Sequence, residues 1–373
     1  MISDYFFCPN PLCTAHHINP PPSGWYVRHG YHMTKAFGRV QRYRCRFCRK
    51  TFSDQTFLLN YWLKKCTDFA ALGRDINSSA SSNFIGRHHH LSADSMRIRH
   101  DRLARNALFL QSVYTDGSLI EEPLVADGLE SFVRNQFFPI NLNILIGKQS
   151  QFVYFFNESH SRRKGAMTEK QRSLLEAMYE NKSFEGSKIS KMFRQLIEYI
   201  GERSVSGKVE LHTDEHPIYQ MVIERWNQRA RAAVRIEHHE TSSRDPRTTA
   251  NDLFAVNYFD RLIRKDLPNH RRETICFARN DRNLLSRFVY YVVTHNFYKP
   301  FRIKSKAKQM TATHAEKARG PIENIDEWKS RFHTNRFFHS FAKLPRYFDD
   351  MWFKRTPTPL SECADPVPMF AYQ

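Results

Sequence analysis

The chain has 373 residues, a formal net charge of +19 and a sequence pI near 9.7, with 41% hydrophobic and 14% aromatic residues. That length and apolar content provide for two or three domains with real cores, and no run of about 18 apolar residues exists to form a transmembrane helix. Seven cysteines, an odd number in a large chain, argue against a disulfide framework, and the acidic, cysteine-bearing start MISDYFFCPN does not read as a signal peptide, so a soluble, intracellular protein is expected.

The first segment holds two cysteine pairs, Cys8-Pro-Asn-Pro-Leu-Cys13 and Cys45-Arg-Phe-Cys48. Each pair can form a tight turn that points two thiolates at one ion, and four thiolates make the soft tetrahedral set that Zn²⁺ prefers. Between them, GWYVRHGYHM and GRVQRYRC suggest a small antiparallel ribbon too poor in core to fold without metal. His16, His17, His29 and His32 are possible substitutes for a cysteine ligand. Cys66, Cys276 and Cys363 have no partner spacing and read as structural or neutral.

Helical spacing follows. Leu58, Leu59, Trp62 and Leu63 form one apolar face, and Phe69, Leu72 and Ile76 another. A polar break at Asn77–Asn83 precedes a third helix over about Ser92–Leu110 that is rich in Arg and His. Helix, polar turn and basic helix is the outline of a helix-turn-helix. Arg97, Arg99, Arg102 and Arg105, with His100 beside them, are then expected to meet DNA phosphates.

The third segment carries two apolar strands that each end in an aspartate, Pro123–Asp127 and Val209–Asp214. A carboxylate at a buried strand end is costly unless a cation or donors meet it. Two of them on neighbouring strands would suit a pair of Mg²⁺ ions. Phe138–Ile146 and Gln151–Phe156 read as a hairpin, helices as Thr168–Glu180 and Lys188–Ile200, and Ser159–Gly165 as a basic loop with Arg162, Arg163 and Lys164 placed to grip a phosphate backbone. Glu237–Ala250 reads as a polar loop before a helix at Leu253–Leu267, where Asn257 and Asp260 share a face. A further helix follows around Leu284–Val292, then a basic and aromatic tail.

RYRCRFCRKTF at 42–52, ADGLESF at 126–132, HTDEHPIY at 212–219 and VNYFDRLIRKDLPNHRRETICFARN at 256–280, in this order, resemble bacterial insertion-sequence transposases of the DDE type. The resemblance implies an α/β chain: a zinc ribbon at residues 1–56, a helix-turn-helix-like DNA-binding segment at 57–115, and a ribonuclease H-like catalytic core at 116–303. A basic, aromatic C-terminal extension at 304–373 follows, and its tail after about residue 320 matches nothing in the family. Asp127 and Asp214 fall where the family places its first two metal-binding carboxylates. The third is expected as a glutamate on the following helix, and here Asp260 or Glu273 would supply it. The implied activity is metal-dependent cleavage of insertion-sequence ends and their joining to target DNA, with structural Zn²⁺, catalytic Mg²⁺, double-stranded DNA as partner and assembly as a dimer or larger on DNA. Such a protein would work in the bacterial cytoplasm, at the nucleoid, with no membrane partner. The alternative is a non-catalytic DNA-binding protein or repressor derived from a transposase.

Overall fold

Apolar alternation, more than the charged stretches, decides where the chain turns inward. The computed structural model describes residues 7–18, 20–116, 120–180, 188–204, 207–229, 234–242, 244–271, 274–302, 312–319 and 325–355. It is a mixed α/β protein with a three-stranded and a five-stranded sheet.

After α1 (Thr14–His17), strands β1 (Tyr26–Thr34), β2 (Gly38–Cys45) and β3 (Thr51–Ser53) form the small antiparallel sheet. Its interior is aromatic: the Trp25 and Phe52 rings stack at 5.3 Å, with Tyr43 and Phe57 beside them. The expected helix at 58–63 does not form. Trp62 takes a left-handed φ of 59° and stays exposed, while the backbone here is committed elsewhere. Leu59 N–H donates to the Thr334 carbonyl, and Arg336 N–H donates to the Phe57 carbonyl.

Three capped helices come next: α2 (Phe69–Ile76), α3 (Ser82–His88) and α4 (Ala93–Thr115). Asp68, Ser81 and Ser92 accept from the first free N–H groups of each, the usual way such residues start a helix. Most of α3 lies beyond the stretch read as a polar break.

Strands β4 (Leu124–Phe132), β5 (Pro139–Gly147), β6 (Val153–His160), β7 (Lys208–Asp214) and β8 (Arg235–Thr241) make the large sheet, in the order β6-β5-β4-β7-β8. The first three pair antiparallel, whereas β7 runs parallel to both β4 and β8. Of the stretch expected as a loop from Glu237 to Ala250, the first five residues are therefore the end of the edge strand β8, and the described remainder is loop. Helices α5 (Glu169–Tyr179), α6 (Ile189–Arg203) and α7 (Pro217–Asn227) connect β6 to β8, and α8 (Phe254–Asp266) and α9 (Asp281–Phe297) follow. Neighbouring residues Phe156 and Asn157 point to opposite faces of the sheet. Phe156 meets Phe288 of α9 at 4.9 Å between rings, and the Asn157 side chain donates to the Met192 carbonyl of α6, so these two helices cover different faces.

The last elements, α10 (His314–Arg319), α11 (Ile325–Arg331) and α12 (Arg346–Trp352), fold back over the rest of the chain. Phe348 packs on Phe155 and Phe156, and Phe338 enters the ribbon interior. The described part of the C-terminal segment is thus integral to the packing. No helix among the described residues is long and apolar enough to cross a membrane. Phe338→Ala should cost about 3–5 kcal/mol, the usual penalty for emptying a buried aromatic site, and thermal unfolding should show it as a clear drop in Tm; Phe341→Ala, half-exposed, should change Tm much less.

Candidate functional site

The site begins with strand register. Leu124 lies opposite Leu211 and Val125 opposite His212, where the β4–β7 pairing ends. Two residues further along each strand stand Asp127 and Asp214, abreast and on the same face of the sheet. Asp214 closes β7 as expected, but Asp127 lies inside β4, which continues to Phe132. The continuation depends on Gly128, where a Cβ would fall 2.1 Å from the Asn141 side chain, and on the buried Leu129 and Ser131 beyond it.

Asp127 is pushed up to about 6, first by burial and then by the nearby Asp214 charge, although the Gly128 N–H donates to it at 2.7 Å. Asp214 accepts from the His216 N–H at 3.2 Å, at the start of α7. Helix α8 packs across β4 and β5 and brings Asp260 toward Asp127. Burial, and then the Asp127 charge, push Asp260 up to about 8, and its Oδ1 is sealed from solvent with no hydrogen-bond partner among the described residues. Arg264, one turn further along α8, and Arg247, from the loop after β8, oppose both shifts. Sequence reasoning passed over these two arginines; a basic residue four positions after Asp260 on a helix face was the available signal for Arg264. Asn257 lies one turn before Asp260. Glu273 lies outside the described residues.

Because β4, β6, β7 and β8 point the same way, the loops that follow them leave the sheet at one end. Arg162 and Lys164 are exposed in the loop after β6, with the Arg162 guanidinium 5.2 Å above the Tyr179 ring, and Arg163 lies 5.3 Å over Phe137. The donor set of the three aspartates is all oxygen, their charges repel, and one buried oxygen is unsatisfied. A hard cation suits such a donor set and would relieve both the repulsion and the unsatisfied oxygen. Their spacing is open: among the described residues, only the four cysteines and Asp75–His88–His89 gather three or more ligand atoms within 4.8 Å of one another.

In the cysteine group Sγ atoms stand 3.6 Å apart for Cys8 and Cys48 and 3.7 Å for Cys13 and Cys45. A zinc tetrahedron with bonds of about 2.3 Å separates its sulfurs by about 3.8 Å, so Cys8, Cys13, Cys45 and Cys48 fit the ion closely. Burial raises the Cys8 and Cys13 thiols, which a bound cation would reverse. His16 is not a ligand here: its ring nitrogens bond the Cys8 carbonyl and the Ser340 hydroxyl. Around this centre Arg28, Lys35, Arg39, Arg46, Arg49 and Lys50 face solvent.

The arginines expected to meet DNA from the third helix require correction. Arg99, Arg102 and Arg105 are buried in α4, with no more than 6% of their surface exposed. Arg99 donates to the Thr67 hydroxyl and the Lys65 carbonyl, Arg102 to the Leu59 carbonyl and Arg105 to the Trp352 carbonyl. Burial and neighbouring arginines hold Arg102 down at about 9. These groups fasten loops to the helix and cannot reach a phosphate backbone. Arg97, near the exposed first turn, pairs loosely with Asp94 at 3.9 Å.

Neither a scan against protein-family models nor a search of the curated proteins returns a match to this chain.

Two outcomes follow from this geometry. Cys45→Ser combined with Cys48→Ser should take the tightly held zinc from one ion per chain to none by metal analysis. Asp127 and Asp260 set a pH dependence. Their folded carboxyls hold protons above the usual Asp value of about 3.9. The folded chain therefore binds more protons than the unfolded one between about pH 4 and pH 8, and stability falls as pH rises through that window. Without added divalent cation, Asp260→Asn should flatten that profile and raise Tm at pH 8 relative to the parent protein.

Proposed function

We propose that the chain is a DNA-cleaving and strand-joining enzyme of the DDE transposase type, built on a ribonuclease H-like core. The observation that carries this reading is Asp127 and Asp214 abreast on neighbouring parallel strands, with Asp260 above them on α8. The sheet order β6-β5-β4-β7-β8 supports it, because the resemblance implies a core whose first and fourth strands are neighbours. Asp127, Asp214 and Asp260 would hold Mg²⁺, with the Asn257 amide oxygen as a supplementary ligand. Bound Mg²⁺ would supply an activated water or 3′-hydroxyl nucleophile and stabilise the leaving oxygen. The protein's own part is positioning. Asp127, Asp214 and Asp260 would present the oxygen donors that hold the ion, and Arg247 and Arg264 balance their charge. Arg162 and Lys164 bind backbone phosphates at the same end of the sheet, and the exposed cations of the ribbon hold flanking duplex. Joining two ends calls for at least a dimer on DNA, acting at the nucleoid.

A second reading is a DNA-binding protein descended from such an enzyme but without the chemistry. One observation favours it: α8, Phe254–Asp266, contains no glutamate. The test uses DNA carrying the sequences that flank the gene, with Mg²⁺, and follows nicking and strand joining. Asp127→Ala, Asp214→Ala and Asp260→Ala should each lower cleavage at least about 100-fold, the scale on which preorganised electrostatic groups act. DNA binding should persist in all three, and Glu273→Ala should keep most activity. Loss in Glu273→Ala with survival in Asp260→Ala would transfer the third role to Glu273. Unchanged cleavage in all four would leave the DNA-binding reading or another enzyme.

A further inference from the structure

Away from the aspartates and the cysteines, three side chains of the helical segment converge. Asp75, in the last turn of α2, places Oδ2 2.9 Å from His88 Nδ1 and 2.8 Å from His89 Nε2. Consecutive residues at a helix end point about 100° apart and do not ordinarily face one target. Here they meet because His88 uses its near nitrogen and His89 its far one. The backbone that carries them is held: Lys65 Nζ donates to the His90 carbonyl at 3.0 Å, and His90 ends the helix at a φ of 51°. Two imidazoles and a carboxylate form a borderline donor set, suited to Zn²⁺, Co²⁺ or Ni²⁺. Donors around a tetrahedral zinc with bonds of about 2.0 Å lie roughly 3.3 Å apart, so a small outward shift admits the ion.

We propose that Asp75, His88 and His89 form a second, exchangeable site for a borderline divalent cation, with its remaining coordination position open to solvent. His88 is 62% exposed at its side chain and Asp75 31%, so the ion can enter without unfolding the segment. Bound there, it would tie the end of α2 to the end of α3 and fix the outer face of α3, where Phe84 and Arg87 are exposed. This site is independent of the carboxylate chemistry.

The test titrates Zn²⁺ into the full chain with its ribbon zinc already in place. One further ion per chain should bind, be removed by a chelator that leaves the ribbon zinc, and shift the His88 Nδ1 and His89 Nε2 resonances in ¹H–¹⁵N spectra. His88→Ala and His89→Ala should each weaken uptake at least about tenfold, because each removes one of three metal bonds. His17→Ala, a surface histidine elsewhere, should not. No uptake beyond the ribbon zinc, or no movement of those two resonances on uptake, would overturn the site and leave a hydrogen-bonded triad. The resonance readout decides the matter even where a variant fails to fold.

Discussion

Two like charges held side by side in a sheet are the constraint around which the large domain is arranged. β4 and β7 pair in parallel only at Leu124–Leu211 and Val125–His212, and the pairing ends just before Asp127 and Asp214. A tighter pairing would press the carboxylates together in a low-dielectric interior, where repulsion between them is strongest. The surrounding elements lessen the strain in different ways. Gly128 lends a backbone N–H to Asp127, the start of α7 lends one to Asp214, and Arg247 and Arg264 bring positive charge from two directions. Asp260 then adds a third carboxyl, with an oxygen that no described residue satisfies. A purely structural role gives no reason to add it, because a neutral side chain would pack there at lower electrostatic cost.

Much of this was legible in the sequence. The cysteine pairs and the strands carrying Asp127 and Asp214 were visible, because ligand spacing and apolar runs are local signals. Helix α8 was readable to within a residue at each end for the same reason. What was missed depends on tertiary partners. β8 reads RIEHHET and looks like loop, since an edge strand buries little: only Ile236 and Thr241 are fully covered. Arg99, Arg102 and Arg105 of α4 look like a surface stripe, yet each finds backbone carbonyls in segments far away in sequence. Trp62 and its neighbours carry a helical pattern that loses to pairing with residues 334–336. Periodicity cannot detect a partner about 275 residues downstream.

That downstream partner also changes how the ribbon relates to the core. A zinc-dependent ribbon on a flexible linker would hold its cations at no fixed distance from the carboxylates. Here the stretch 334–341 runs between them: Phe338 fills the ribbon interior, the Ser340 hydroxyl meets His16, and Asn106 of α4 bonds the carbonyls of Phe332 and Asn335. Helix α4 in turn packs along α9, whose Phe288 lies against Phe156 in the same sheet as Asp127. The buried arginines belong to this chain of contacts. A guanidinium can bond several carbonyls at once, which suits it to hold irregular segments against a helix where no ladder can form. Basic residues in this protein therefore serve two purposes, and burial tells them apart. Those on the ribbon and in the loops at the carboxyl ends of the strands remain open to an anionic partner, whereas Arg99, Arg102 and Arg105 are spent on holding residues 59–67 and the C-terminal segment against α4.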